Sequence, residues 1–139
     1  MNNPGRDHAV FDSPEIVNAL FHPRKEPNAV AWPDDVIHLT IPVDTAVELG
    51  AVFHHADKQA PVILFFHGNG EIAADFNEIG YYYSQQEINF MPVDYRGYGR
   101  SSGQPDVTSM MADCQKVFDF CRNWLAENGY DPQFGARPL

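Results

Sequence analysis

The most constraining stretch of this chain is Val62-Ile63-Leu64-Phe65-Phe66-His67-Gly68-Asn69-Gly70. Five apolar residues run without alternation and then break into a glycine-rich turn. A half-exposed strand alternates apolar and polar residues; a strand covered on both faces does not. The run therefore predicts a buried strand in a parallel sheet between helix layers. A helix is expected next, because Ile72, Phe76, Ile79 and Tyr83 fall at i, i+4, i+7 and i+11. Ile88 to Val93 reads as a second parallel strand, ending in Asp94-Tyr95. A second glycine-rich loop then runs from Arg96 to Gly103.

The flanking segments complete the pattern. Val36 to Ile41 and Val47 to His55 read as two strands around an Asp44-Thr45 turn, so a hairpin is expected. Ser13-Pro14-Glu15 marks a short helix reaching Phe21, with Ser13 as cap and Pro14 at the first helical position. Prolines 23, 27 and 33 keep the following chain irregular. The last helix starts at the cap residue Asp106 and carries Val107, Met110, Met111, Cys114, Val117, Phe118, Cys121 and Leu125 as an apolar stripe. Gly129 suits its stop. The order is β-β-β-α-β-α: an α/β class with residues 1–35 as an amino-terminal segment and 36–139 as one sheet-forming unit.

Composition limits the partners. The 139 residues hold 44% hydrophobic and 20% charged side chains, enough for one folded core. Acids outnumber bases 19 to 9, for a net charge of −10, and no basic stripe occurs. Nucleic acid and anionic membrane surfaces are therefore not expected partners. No apolar stretch is long enough for a signal peptide or a membrane span. Cys114 and Cys121 lie seven apart on one helix, too far for a disulfide, and read as free thiols of a reducing, cytoplasmic compartment. Adjacent His54 and His55 point to opposite faces of a strand, so no metal is expected. No cofactor is expected either.

Ligand sites in open α/β sheets lie beyond the carboxyl ends of the parallel strands, which is where the two glycine loops fall. In the first, Gly68 and Gly70 allow close approach to the main chain, and free N–H groups there can face developing negative charge. In the second, Gly97, Gly99 and Gly103 make a compact loop, and the opposite charges of Asp94 and Arg96 are expected to tie it to its strand.

Together, Phe65 to Gly70 and Val93 to Gly103 resemble the first half of an α/β-hydrolase, close to the serine hydrolases of the prolyl-oligopeptidase and small-esterase type. The resemblance covers about residues 36–139, and Phe21-His22-Pro23-Arg24 is similar to the lead into that subgroup's first strand. It implies the amino-terminal part of an α/β-hydrolase sheet, a hairpin followed by a parallel β-α-β-α unit, and incomplete. It implies that the Asn69 backbone N–H is one oxyanion donor, with Gly68 and Gly70 shaping the turn and His67 buttressing it. The nucleophile is expected on a Gly-x-Ser-x-Gly elbow after a fifth strand, followed by an acid and a histidine.

Gly99-Arg100-Ser101-Ser102-Gly103 matches Gly-x-Ser-x-Gly literally. However, no strand directly precedes it, no helix starts at Ser101, and every histidine lies at or before His67. Ser101 is therefore read as a turn residue and the triad as lying outside these 139 residues. The chain is expected to be inactive alone: a truncated product, a partial chain or one half of a split enzyme acting on a small-molecule or peptide substrate. The third strand, which pairs with the fifth in the family, would then present an open edge to a second copy or a complementary chain. Two other readings compete. Gly68-Asn69-Gly70-Glu71-Ile72-Ala73, with Asp94 ending the next strand, fits a nucleotide-binding turn. A hydrolase half retained only to bind a partner is the other.

Overall fold

The computed structural model describes residues 8–131. Residues 1–7 and 132–139 lie outside the described residues. A four-stranded mixed sheet forms from β1 (Val36–Asp44), β2 (Val47–His54), β3 (Val62–Phe66) and β4 (Asn89–Val93) in the order β1-β2-β4-β3. The hairpin β1/β2 is antiparallel and pairs Val36 with His54 through Asp44 with Val47. β2 runs antiparallel to β4, whereas β3 and β4 are parallel and pair Val62 with Asn89 through Phe66 with Val93. The helices are α1 (Pro14–Leu20), α2 (Asn77–Gln85) and α3 (Val107–Glu127); 3-10 turns precede α1 (Ala9–Asp12) and α2 (Ala73–Phe76).

The sheet separates two packed layers. Alternation puts Leu39, Ile41 and Val43 of β1, Leu49, Ala51 and Phe53 of β2, and Met91 and Val93 of β4 in one cluster with Val117, Cys121 and Leu125 of α3. The helical residues recur every four positions, which makes a single stripe. On the other face Phe65, Phe76, Tyr83 and Phe90 form an aromatic cluster with ring centroids 4.8–5.5 Å apart. His54 joins this cluster beneath Gly80, where any side chain would strike its ring. His55 turns away and its Nδ1 meets the Tyr130 hydroxyl at 2.8 Å, so the two histidines do face apart.

Both cysteines are free. Cys121 is buried, with its sulfur 3.2 Å from that of Met91, and burial pushes its thiol up to about 12. The expected apolar stripe of α3 is only partly covered: Met111 and Phe118 are 47% and 44% exposed. The opposite flank of the helix turns toward β1, where Lys116 bonds the Val43 carbonyl at 2.6 Å. Met111 and Phe118 therefore lie toward β3, the end strand of the sheet, where no further layer covers them among the described residues.

Candidate active-site loops

Both glycine loops leave the carboxyl ends of the parallel pair, after Phe66 of β3 and Val93 of β4. They meet at His67 and Asp94, both buried. His67 Nδ1 lies 2.9 Å from the Gly68 carbonyl. Its Nε2 lies 3.2 Å from Asp94 Oδ1, an ion-pair distance off the hydrogen-bond axis. The same Asp94 oxygen accepts from Ala73 N at 2.8 Å, at the entry to the turn before α2. One carboxylate thus joins the end of β4 to the loop after β3 and the start of the next helical segment. Tyr95 and Tyr98 close around the His67 ring, at 4.7 and 5.2 Å between centroids.

The second loop is a built structure. Gly99 has φ +51°, and a side chain there would enter the Asp94 carboxylate. Ser101 is buried; its hydroxyl donates to the Asp94 carbonyl at 2.7 Å and accepts from Gly50 N at 2.9 Å. Gly97 and Gly103 also hold positive φ and shape the loop's far side. Arg96 departs from expectation. It does not pair with Asp94 but makes a two-pronged bond to Asp113 of α3, at 2.7 and 2.9 Å, with Asp44 3.8 Å away. The hydrogen bond to Asp113 raises the guanidinium pKa. Asp94 is already committed to Ala73 and His67, whereas Asp113 presents both oxygens to the planar fork.

In the first loop Asn69 is exposed, and its N–H has no acceptor among the described residues. Its side chain is held: Oδ1 accepts from His22 N at 2.9 Å and from the Tyr98 hydroxyl at 3.0 Å. Gly70 has φ +78° and open space around it. The Gly68 N–H is taken by Glu71 Oε1 at 2.6 Å. This arrangement disfavours the nucleotide-binding reading. A carboxylate of the chain itself occupies the turn where a pyrophosphate would need free amides, and Asp94 is buried inside the loops rather than offered to a ribose. Among the described residues no group of His, Cys, Asp and Glu is placed to hold a metal ion, and no helix is long and apolar enough to cross a membrane.

Sequence reasoning singled out His67, Asp94, Gly99 and Ser101, which do come together. It missed Tyr98, Arg24 and Asp75. Arg24 donates to the Gly70 carbonyl at 2.9 Å and to both oxygens of Asp75, which itself accepts from Ile72 N at 3.1 Å. The only available signal was the position of Arg24 in the Phe21-His22-Pro23-Arg24 lead-in.

Comparison with known proteins agrees with this geometry. Residues 34–134 match the family model Hydrolase_4, described as serine aminopeptidase, S33. The chain is 35% identical over 72 residues to the multifunctional-autoprocessing repeats-in-toxin protein of Vibrio cholerae, covering 51% of this chain and 2% of that protein. It is 33% identical over 76 residues to the lysophosphatidylserine lipase ABHD12 of Xenopus tropicalis, covering 53% and 19%. A crystal structure of an alpha-beta hydrolase from Vibrio vulnificus superposes with a TM-score of 0.55 at 31% identity, over 65% of this chain and 31% of that one. The chain thus spans less than a third of the length of each of these three. With that match over residues 34–134 and a sheet of this order, the chain belongs to the Hydrolase_4 family of α/β-hydrolases and presents part of that fold.

Proposed function

We propose that these residues form the oxyanion-binding half of a serine hydrolase that cleaves an ester, amide or peptide bond through an acyl-enzyme. The observation that carries this reading is the unpartnered Asn69 N–H at the carboxyl end of β3, on a loop where Glu71 takes the Gly68 N–H and the Asn69 side chain is held by His22 and Tyr98. A tetrahedral intermediate places negative charge on the former carbonyl oxygen. A fixed N–H aimed at that oxygen stabilises the transition state more than the ground state. His67 and Asp94 support the loop from beneath. The family's description and the likeness to a lysophosphatidylserine lipase support acyl transfer without choosing between ester and amide.

The nucleophile, acid and base of this reading lie outside residues 1–139. Ser101 is sealed between Gly50 N and the Asp94 carbonyl, and no histidine follows it. A strand from the triad-bearing part of a hydrolase domain is the proposed occupant of the free edge of β3. The fraction of the Vibrio vulnificus hydrolase that this chain matches, 31%, supports that choice. The free thiols suit a reducing compartment such as the cytoplasm.

A fluorophosphonate probe tests the first point: the 139-residue chain should stay unlabelled, and a label on Ser101 would overturn the assignment. Where the triad is supplied, Asn69→Pro removes the donor and should lower kcat by about 10²–10³-fold. Retained turnover would count against Asn69.

A further inference from the structure

Residues His22 to Glu26 form no helix, and their one sheet-like contact is a parallel bridge from Lys25 to Gly99. Even so, this short segment bonds to both glycine loops. The His22 N–H reaches Asn69 Oδ1 and the Tyr98 hydroxyl, each at 2.9 Å. The Arg24 carbonyl accepts from Gly99 N at 2.8 Å, and Lys25 Nζ donates to the Ser101 carbonyl at 2.9 Å. Glu26 accepts from Arg100 Nε at 2.8 Å. Arg24 is the residue that also reaches the far side of the first loop, through the Gly70 carbonyl and Asp75.

We infer that His22–Glu26 is a splint for the oxyanion loop, with Arg24 as its positioning residue. The inference rests on the oxyanion reading of that loop and adds what holds the donor in place. An oxyanion donor helps only if it is aimed before charge develops. Gly68 and Gly70 flank Asn69 and allow many backbone conformations that would aim its N–H elsewhere. Asn69 is gripped by its own side chain, and Gly70 by its carbonyl. Both grips come from residues 22 and 24, two positions apart on one extended strand of chain. Arg24 suits this task because its planar guanidinium can hold the Asp75 carboxylate by two bonds while one nitrogen also serves Gly70. A lysine ammonium has three donors but no planar fork, so it cannot match the paired bonds to Asp75 in the same way.

An exposed ion pair contributes little to global stability, so the splint should show in the loop and not in the melting temperature. The test is 15N relaxation and amide exchange on the 139-residue chain, comparing wild type, Arg24→Lys, Arg24→Ala and Asp75→Asn. The Gly68 amide, which Glu71 holds, should exchange about tenfold faster in Arg24→Ala, and the order parameters of Gly68, Asn69 and Gly70 should fall from about 0.85 toward 0.6 or below. Arg24→Lys and Asp75→Asn should give intermediate values, while β4 and α3 amides stay as in wild type. Unchanged loop amides in Arg24→Ala would overturn the splint, and so would equal loosening of β4 and α3. If Arg24→Ala does not fold, Arg24→Lys and Asp75→Asn decide by the same readout. These measurements read loop order without turnover. A loosened loop combined with full activity of Asn69→Pro where the triad is supplied would therefore refute the oxyanion reading and leave the splint standing.

Discussion

Gly70 and Gly99 share a positive φ, +78° and +51°, but differ in what surrounds them. A methyl group at Gly70 meets open space, so Gly70→Ala should cost only left-handed backbone strain, about 1–2 kcal/mol. At Gly99 the methyl would enter the Asp94 carboxylate, which is buried and bonded to Ala73 N. Gly99→Ala should therefore add a disrupted buried acceptor to the same strain, for a total of roughly 2–5 kcal/mol. Urea denaturation of the two variants measures the difference, and equal losses would show that Asp94 moves aside freely. At this scale the sequence was informative about loops and poor on partners. Glycine marks a position that needs an unusual backbone or a close approach, and that requirement is local. The partner of Arg96 is not local. Asp113 lies 17 residues away on α3 and meets Arg96 only because the helix docks there. Tyr98 was hidden for the same reason: its contacts with His22 and Asn69 span 76 and 29 residues.

The amino end of α3 is held by two carboxylates, one local and one distant. Asp106 accepts from Ser109 N at 2.7 Å, the side-chain cap its position predicts, and Asp106→Ala should cost about 1 kcal/mol. Asp12 accepts from Val107 N and Thr108 N, at 3.0 and 3.1 Å, and from the Thr108 hydroxyl. It satisfies amides that the first turn of a helix leaves free and ties the Ala9–Asp12 turn to α3. The Thr108 hydroxyl, followed by these amides, holds the Asp12 carboxyl below its ordinary value of 3.8. A carboxylate with a lowered folded pKa contributes stability that is present above its unfolded pKa and is lost as pH falls through the folded one. The stability difference between wild type and Asp12→Asn should thus be constant from pH 7 to about 5 and shrink below 3.8. A difference that stays constant down to pH 2 would remove the charge from the explanation. The bond to Arg24 lowers the Asp75 carboxyl in the same direction, but that pair is exposed and adds little to global stability. The Asp106 cap was legible because aspartate directly precedes an apolar periodic run. The Asp12 cap was not, since it comes from 95 residues upstream.

At the scale of the molecule, the sheet that the described residues form ends in a hairpin on one side and in the single strand β3 on the other. β1 is a nine-residue strand carrying Asp44 and exposed polar positions, features that discourage edge pairing. β3 has none of these: its five residues are apolar, half-buried on both faces, and, among the described residues, bonded to β4 on one side only. The continuous run Val62 to Phe66 already pointed to a strand meant to be covered on both faces, and the structure adds where cover is lacking. Met111 and Phe118 extend the same apolar surface onto α3. Unpaired strand groups and exposed large side chains act together here, because a docking strand would satisfy the first while its following helix covers the second. A chain offered no complementary hydrolase strand should therefore associate with itself through this end. Sedimentation velocity over a hundredfold concentration range should show a rising weight-average coefficient. Phe118→Lys should weaken the association about tenfold by placing charge in the contact, with little change in the fold because Phe118 is 44% exposed. Adding a triad-bearing hydrolase segment should return the chain to a defined complex, since a matched parallel strand bonds β3 better than a second copy of its own edge. A chain that stays monomeric at every concentration and ignores the added segment would overturn the reading of this edge as a docking surface.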